Sequence, residues 1–72
     1  MRALVLGGTG AVGSAAVAAL RARGHEALAG SRSATSPGSV QLDLTTSAGR
    51  TRMVEVAREC DAVIDASGRE DP

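Results

Sequence analysis

Seven residues, Gly7-Gly8-Thr9-Gly10-Ala11-Val12-Gly13, constrain this chain more than any others. They follow directly on the apolar run from Ala3 to Leu6 and open an Ala-rich stretch. A short apolar run that ends in glycine suits a strand buried on both faces, as in a parallel sheet. The glycines then interrupt regular structure. From Ala11 to Arg23 the abundance of Ala, the best helix former, predicts a helix. Val12, Ala16, Ala19 and Leu20 are expected to share its buried face. Arg21 and Arg23 stand in the last turn, where cations complement the helix dipole, and Gly24 suits the position just past the end. A strand, a glycine turn and a helix in that order begin a parallel crossover unit.

The rest of the chain extends that unit. His25 to Gly30 is a second strand candidate, and Arg32 to Gly38, small and polar with Pro37, is a loop. Ser39 to Asp43 alternates apolar and polar residues and predicts a third strand. Thr45, Thr46 and Ser47 offer capping hydroxyls to a second helix, in which Met53, Val56, Ala57 and Cys60 share a face. Gly49 weakens its first turn. Asp61 to Ala66, centred on Val63-Ile64, predicts a fourth strand. The order is β-α-β-β-α-β. Right-handed crossovers with strand four beyond strand one give the sheet order 3-2-1-4, part of an α/β doubly wound parallel sheet with a switch point between strands one and four. A ferredoxin-like arrangement shares the order of elements, and the glycine turn decides between them.

Composition narrows the function. Seventy-two residues make one small domain. Eight basic and eight acidic side chains cancel, which argues against a nucleic-acid surface or a polybasic membrane anchor. Phe, Tyr and Trp are all absent, so no aromatic platform can stack bases. A single cysteine, Cys60, permits neither an intrachain disulfide nor a thiolate zinc cluster, and no metal site is expected. Apolar runs fall short of the ~20 residues of a membrane span. A cytoplasmic location is expected. The lone histidine, His25, stands at the helix end away from the strand C-termini and reads as a surface residue. Cys60 reads as a buried structural thiol, and Ser67 has no histidine partner to activate it.

The glycine turn carries the chemistry. It contains both Gly7-x-x-Gly10-x-x-Gly13 and Gly8-x-Gly10-x-x-Gly13. Either pattern leaves backbone N–H groups free at a helix N-terminus, where they and the positive dipole end can hold a pyrophosphate. Gly10 leaves room for the phosphate, and Gly13 lets the helix pack closely on strand one. Gly7, Thr9, Gly10, Ala11, Val12 and Gly13 are therefore candidate cofactor contacts. The end of strand two faces the adenosine ribose, where a carboxylate would select NAD. Ser31, Arg32 and Ser33 stand there instead. Arg32 can pair with a 2′-phosphate, so NADP is expected, with NAD as the alternative.

The stretch Leu4 to Ser14 resembles the start of extended and atypical short-chain dehydrogenase/reductase domains of the Rossmann type. That group includes the NmrA-like and NAD-dependent epimerase families and the saccharopine dehydrogenase NADP-binding domain. The resemblance implies that Asp43-Leu44 contacts adenine and that Ala66, Ser67 and Gly68, in Asp65-Ala66-Ser67-Gly68, line the cofactor. Those families do their chemistry with a Tyr and Lys pair, and this chain has neither residue type. No catalytic residue is assigned.

Residues 1–72 thus read as the N-terminal part of a dinucleotide-binding domain, a fragment of a longer oxidoreductase. The alternative is a non-catalytic NmrA-like dinucleotide sensor, and a third reading is a small α/β domain without cofactor. Strand four would be an open edge, so self-association or pairing with the remainder of the domain is expected.

Overall fold

The computed structural model describes residues 1–8, 10–32 and 38–66. Six elements follow the expected order: β1 (Arg2–Leu6), α1 (Ala11–Ala22), β2 (Glu26–Ser31), β3 (Ser39–Gln41), α2 (Ser47–Arg58) and β4 (Ala62–Asp65). The four strands form one parallel sheet in the order β3-β2-β1-β4. β1 is central. Leu4 pairs with Leu28 on one side and with Val63 on the other.

Alternation along the strands sends side chains to two separate cores. Val5, Ala27 and Ala29 meet Val17 of α1 on one face. Leu4 and Leu42 meet Val56 of α2 on the opposite face. Leu4 and Val5 are both wholly buried, so β1 is apolar toward both faces as a central parallel strand requires. Burying each such side chain stabilises the fold by about 1.5–3 kcal/mol.

Strand and helix limits differ from the expected ones at their ends. Leu42 and Asp43 lie past the end of β3, yet the Leu42 N–H still donates to the Ser31 carbonyl at 2.8 Å. Asp61 and Ala66 flank β4 and donate to the Arg2 and Leu6 carbonyls at 2.7 and 2.9 Å. α1 stops at Ala22 because Arg23 and Gly24 close it. The Gly24 N–H donates to Arg21 and the His25 N–H to Leu20, with Gly24 at φ +82°. This is a Schellman closure, which a glycine makes without strain.

The buried stripe of α1 is also corrected. Gly13, Ala16, Val17 and Leu20 face the sheet, whereas Val12 is 70% exposed and Ala19 points to solvent. The spacing i, i+3, i+4, i+7 holds, but it starts one residue later than expected. In α2 the expected face of Met53, Val56, Ala57 and Cys60 does pack on the sheet. Cys60 is only half-buried there, because it follows the last turn of the helix.

Arg21 has a use beyond the helix dipole. Its guanidinium donates to the Ala27 carbonyl at 2.8 Å and to the Gly38 carbonyl at 3.3 Å. Pairing of β2 with β3 begins only at Ala29, so the Ala27 carbonyl precedes the ladder and the arginine satisfies it.

Candidate functional site

The candidate contacts converge at the C-terminal ends of the strands, on either side of β1. β2 lies on one side of β1 and β4 on the other, so the strand order reverses there. A crevice outside such a reversal is where open α/β sheets hold ligands.

The turn after β1 is fixed by backbone bonds. The Gly7 and Gly8 N–H groups both donate to the Gly30 carbonyl at the end of β2, at 2.8 and 3.2 Å. Gly7 sits at φ +75°, a conformation that favours glycine. The Gly10 N–H donates to the Gly7 carbonyl at 3.0 Å, and the Ser14 N–H to the Gly10 carbonyl at 2.8 Å. Gly10 is the N-cap of α1 and supplies no side-chain cap. The N–H groups of Ala11, Val12 and Gly13 therefore open the helix without an intrahelical acceptor, and no acidic side chain stands in the first turn.

The glycines of this turn do different things. A Cβ on Gly13 would overlap the Gly7 carbonyl oxygen and come within 2.8 Å of the Gly8 Cα. Gly13 thus packs against the backbone of the turn itself, not on the strand as expected from its spacing. Gly10 has no such internal reason. A Cβ there would meet only the Gly7 carbonyl oxygen, at an ordinary 3.4 Å, and its φ of −75° suits any residue. The space in front of Gly10 is open, beside an uncapped helix start. That arrangement fits a pyrophosphate.

The other candidates stand at the same ends of the strands. Ser31 ends β2 and Arg32 follows it, exposed. Asp43 and Leu44 lie between β3 and α2, and Ala66 follows β4. Thr9, Ser33, Ser67 and Gly68 lie outside the described residues.

Asp43 is held by its neighbours. One carboxylate oxygen accepts the Thr45 N–H at 3.0 Å and the Thr45 hydroxyl at 2.5 Å. Asp43 and Thr45 stand two residues apart, the spacing of an Asx turn, which is the signal that could have revealed the contact from sequence. The Asp43 carbonyl accepts the Thr46 hydroxyl at 3.0 Å, and that hydroxyl in turn caps α2 through the Gly49 N–H at 2.9 Å. The side-chain and backbone bonds from Thr45, with a smaller contribution from the Arg32 charge, hold the Asp43 carboxyl below its ordinary value of 3.8.

A depressed carboxyl stabilises the fold at pH above its unfolded value and loses that contribution as pH falls through the folded one. Asp43→Asn keeps an acceptor oxygen and removes the charge. The stability advantage of the parent over this variant, read from urea midpoints, is expected to shrink below about pH 4. An advantage constant down to pH 2 would contradict the assignment.

His25 lies at the opposite end of the sheet, with Nδ1 3.2 Å from the Met1 amine, outside the crevice. Among the described residues no cluster of His, Cys, Asp or Glu could hold a metal ion, and no helix is long and apolar enough to cross a membrane.

With this geometry in place, comparison with known proteins decides the family. Residues 3–72 match the model of the NAD dependent epimerase/dehydratase family. The chain belongs to that family. The crystal structure of human epimerase family protein SDR39U1 (isoform 2) with NADPH is similar over 97% of this chain, at 35% identity and a TM-score of 0.64. The 72 residues span 21% of that human chain. No curated protein sequence matches significantly. The sheet order and glycine turn are those of a Rossmann domain of the extended short-chain dehydrogenase/reductase type.

Two residues beside the candidate site escaped the sequence reading. The Gly30 carbonyl anchors the glycine turn, and Gln41 donates from Nε2 to the Arg32 carbonyl at 3.2 Å. Neither leaves a signal in residue type. The first acts through its backbone, and the second is one amide side chain on a short edge strand.

Proposed function

We propose that residues 1–72 bind the adenosine and pyrophosphate portion of NADP(H) within an oxidoreductase of the short-chain dehydrogenase/reductase type. One observation carries this reading. Gly10 stands at a helix start without a side-chain cap, with open space in front of its Cα and no close contact that excludes a side chain. The NADPH in the human relative's crystal structure supports the same cofactor class.

The chain's residues divide the work. The N–H groups of Ala11, Val12 and Gly13 donate to the pyrophosphate, aided by the positive end of α1. Arg32 meets the 2′-phosphate with a planar, permanently charged guanidinium. Asp43 and Leu44 border the adenine, with one Asp43 oxygen engaged by Thr45. Ala66 borders the other side of the turn, its N–H held by Leu6. When bound, the nicotinamide supplies or accepts a hydride. Neither Tyr nor Lys occurs among the 72 residues, so the acid–base step is not assigned to them.

Arg32→Ala tests the cofactor choice. A charge-assisted hydrogen bond contributes about 1.5–3 kcal/mol, and exposure to solvent lowers that figure. The variant is expected to lose roughly tenfold in affinity for NADPH, the equivalent of ~1.4 kcal/mol, and little for NADH. Calorimetric titration with the two cofactors measures it. Equal affinities in the parent, unmoved by the substitution, would overturn the NADP reading.

A further inference from the structure

We propose that Gln41 is a positioning residue that sets the direction of Arg32 and thereby the preference for a 2′-phosphorylated cofactor. The inference rests on the NADP reading above and deepens it.

Arg32 leaves the end of β2, where the sheet stops supporting it. The direction of its side chain depends on the two peptide planes that flank its Cα. The plane before Arg32 carries the Ser31 carbonyl, which accepts the Leu42 N–H at 2.8 Å. The plane after it carries the Arg32 carbonyl, which accepts Nε2 of Gln41 at 3.2 Å. β3 ends at Gln41, so a side-chain amide takes over one residue beyond the backbone pairing of Ser31 with Gln41. Both φ and ψ of Arg32 are thus tied to adjacent residues of a single segment, and the Cα–Cβ direction follows from them.

The same segment continues into Asp43, whose carboxyl feels the Arg32 charge. Gln41 itself is exposed, and its amide bonds the Arg32 carbonyl rather than any candidate phosphate donor. Its contribution is to hold the arginine ready. Without it the guanidinium samples more orientations, and ordering it on binding costs conformational entropy.

The test is a double-mutant cycle in the full 72-residue chain, with NADPH and NADH titrated calorimetrically. Gln41→Met keeps the length and removes the donor. One exposed hydrogen bond of typical strength predicts a loss of about threefold in NADPH affinity, with NADH affinity unchanged. The substitution is expected to have no effect on either cofactor once Arg32→Ala is present. Gln41→Asn, too short to span the gap, is expected to behave as Gln41→Met does and guards against an effect peculiar to methionine.

A general loosening of the edge would weaken both cofactors alike and persist beside Arg32→Ala, and that result would overturn the proposal. Loss of NADPH preference in Arg32→Ala with none in either Gln41 variant would overturn it while leaving the NADP reading intact. An unchanged preference in Arg32→Ala would overturn both.

Discussion

Gly13→Ala is expected to unfold at a much lower urea concentration than the parent chain. In an exposed helix position the same change would gain about 1 kcal/mol. Here the added methyl would overlap the Gly7 carbonyl oxygen and sit 2.7 Å from the Gly7 carbonyl carbon and 2.8 Å from the Gly8 Cα. All three are backbone atoms, so no side-chain rotation relieves the overlap. The turn cannot retreat either, because the Gly7 and Gly8 N–H groups are both bound to the Gly30 carbonyl. Overpacking costs about 1–3 kcal/mol where side chains can adjust, and more where backbone must move. Small domains are stable by only about 0.05–0.15 kcal/mol per residue, so a few kcal/mol is a large part of the total.

Gly10→Ala is the contrast that separates structure from function. Its stability is expected to fall by no more than about 1 kcal/mol, the cost of exchanging glycine for alanine at an N-cap, because a Cβ there meets nothing closer than 3.4 Å. Its affinity for NADPH is expected to fall, because the methyl occupies the approach to the helix start. A large stability loss in Gly10→Ala, or an unchanged urea midpoint in Gly13→Ala, would contradict the division of roles between these two glycines.

Gly49→Ala is expected to be nearly as damaging on the other face of the sheet. The methyl would overlap the Asp43 carbonyl oxygen and lie 2.5 Å from its carbon and 3.0 Å from the Asp43 nitrogen. The Thr46 hydroxyl bridges the same two places, donating to the Asp43 carbonyl and accepting the Gly49 N–H. Forcing them apart breaks that cap, which alone is worth about 1 kcal/mol. It also lifts the start of α2 away from the segment that carries Leu42 into the core with Leu4 and Val56. Thermal unfolding followed by circular dichroism measures the loss. A midpoint within a degree of the parent would show that the contact yields without cost.

Much of the architecture was legible because the sequence marks it with contrasting residues. The apolar run Ala3 to Leu6, the glycines behind it and the crossover rule together specify the order β3-β2-β1-β4. The face of α2 was legible because Met53 and Val56 stand out among charged neighbours. The face of α1 was harder, since alanine on every side offers little contrast, and the buried stripe runs through Gly13 and Val17 and leaves Val12 outside.

Glycine is the residue whose reason sequence conveys least. Gly49 reads as a weak point in a helix and is in fact a close contact with Asp43. Gly13 reads as a packing point on β1 and is in fact packed on its own turn. Each depends on where a distant backbone segment passes, which residue type alone does not encode. The same holds for Gln41, whose amide matters only because the Arg32 carbonyl lies 3.2 Å away.

The most direct test follows the backbone amides of the isotopically labelled chain by NMR while NADPH is added. If the diphosphate is gripped at the start of α1, the largest shifts fall on Gly10, Ala11, Val12 and Gly13. Saturating shifts elsewhere with those four amides unmoved, or no shift anywhere at millimolar NADPH, would contradict the site.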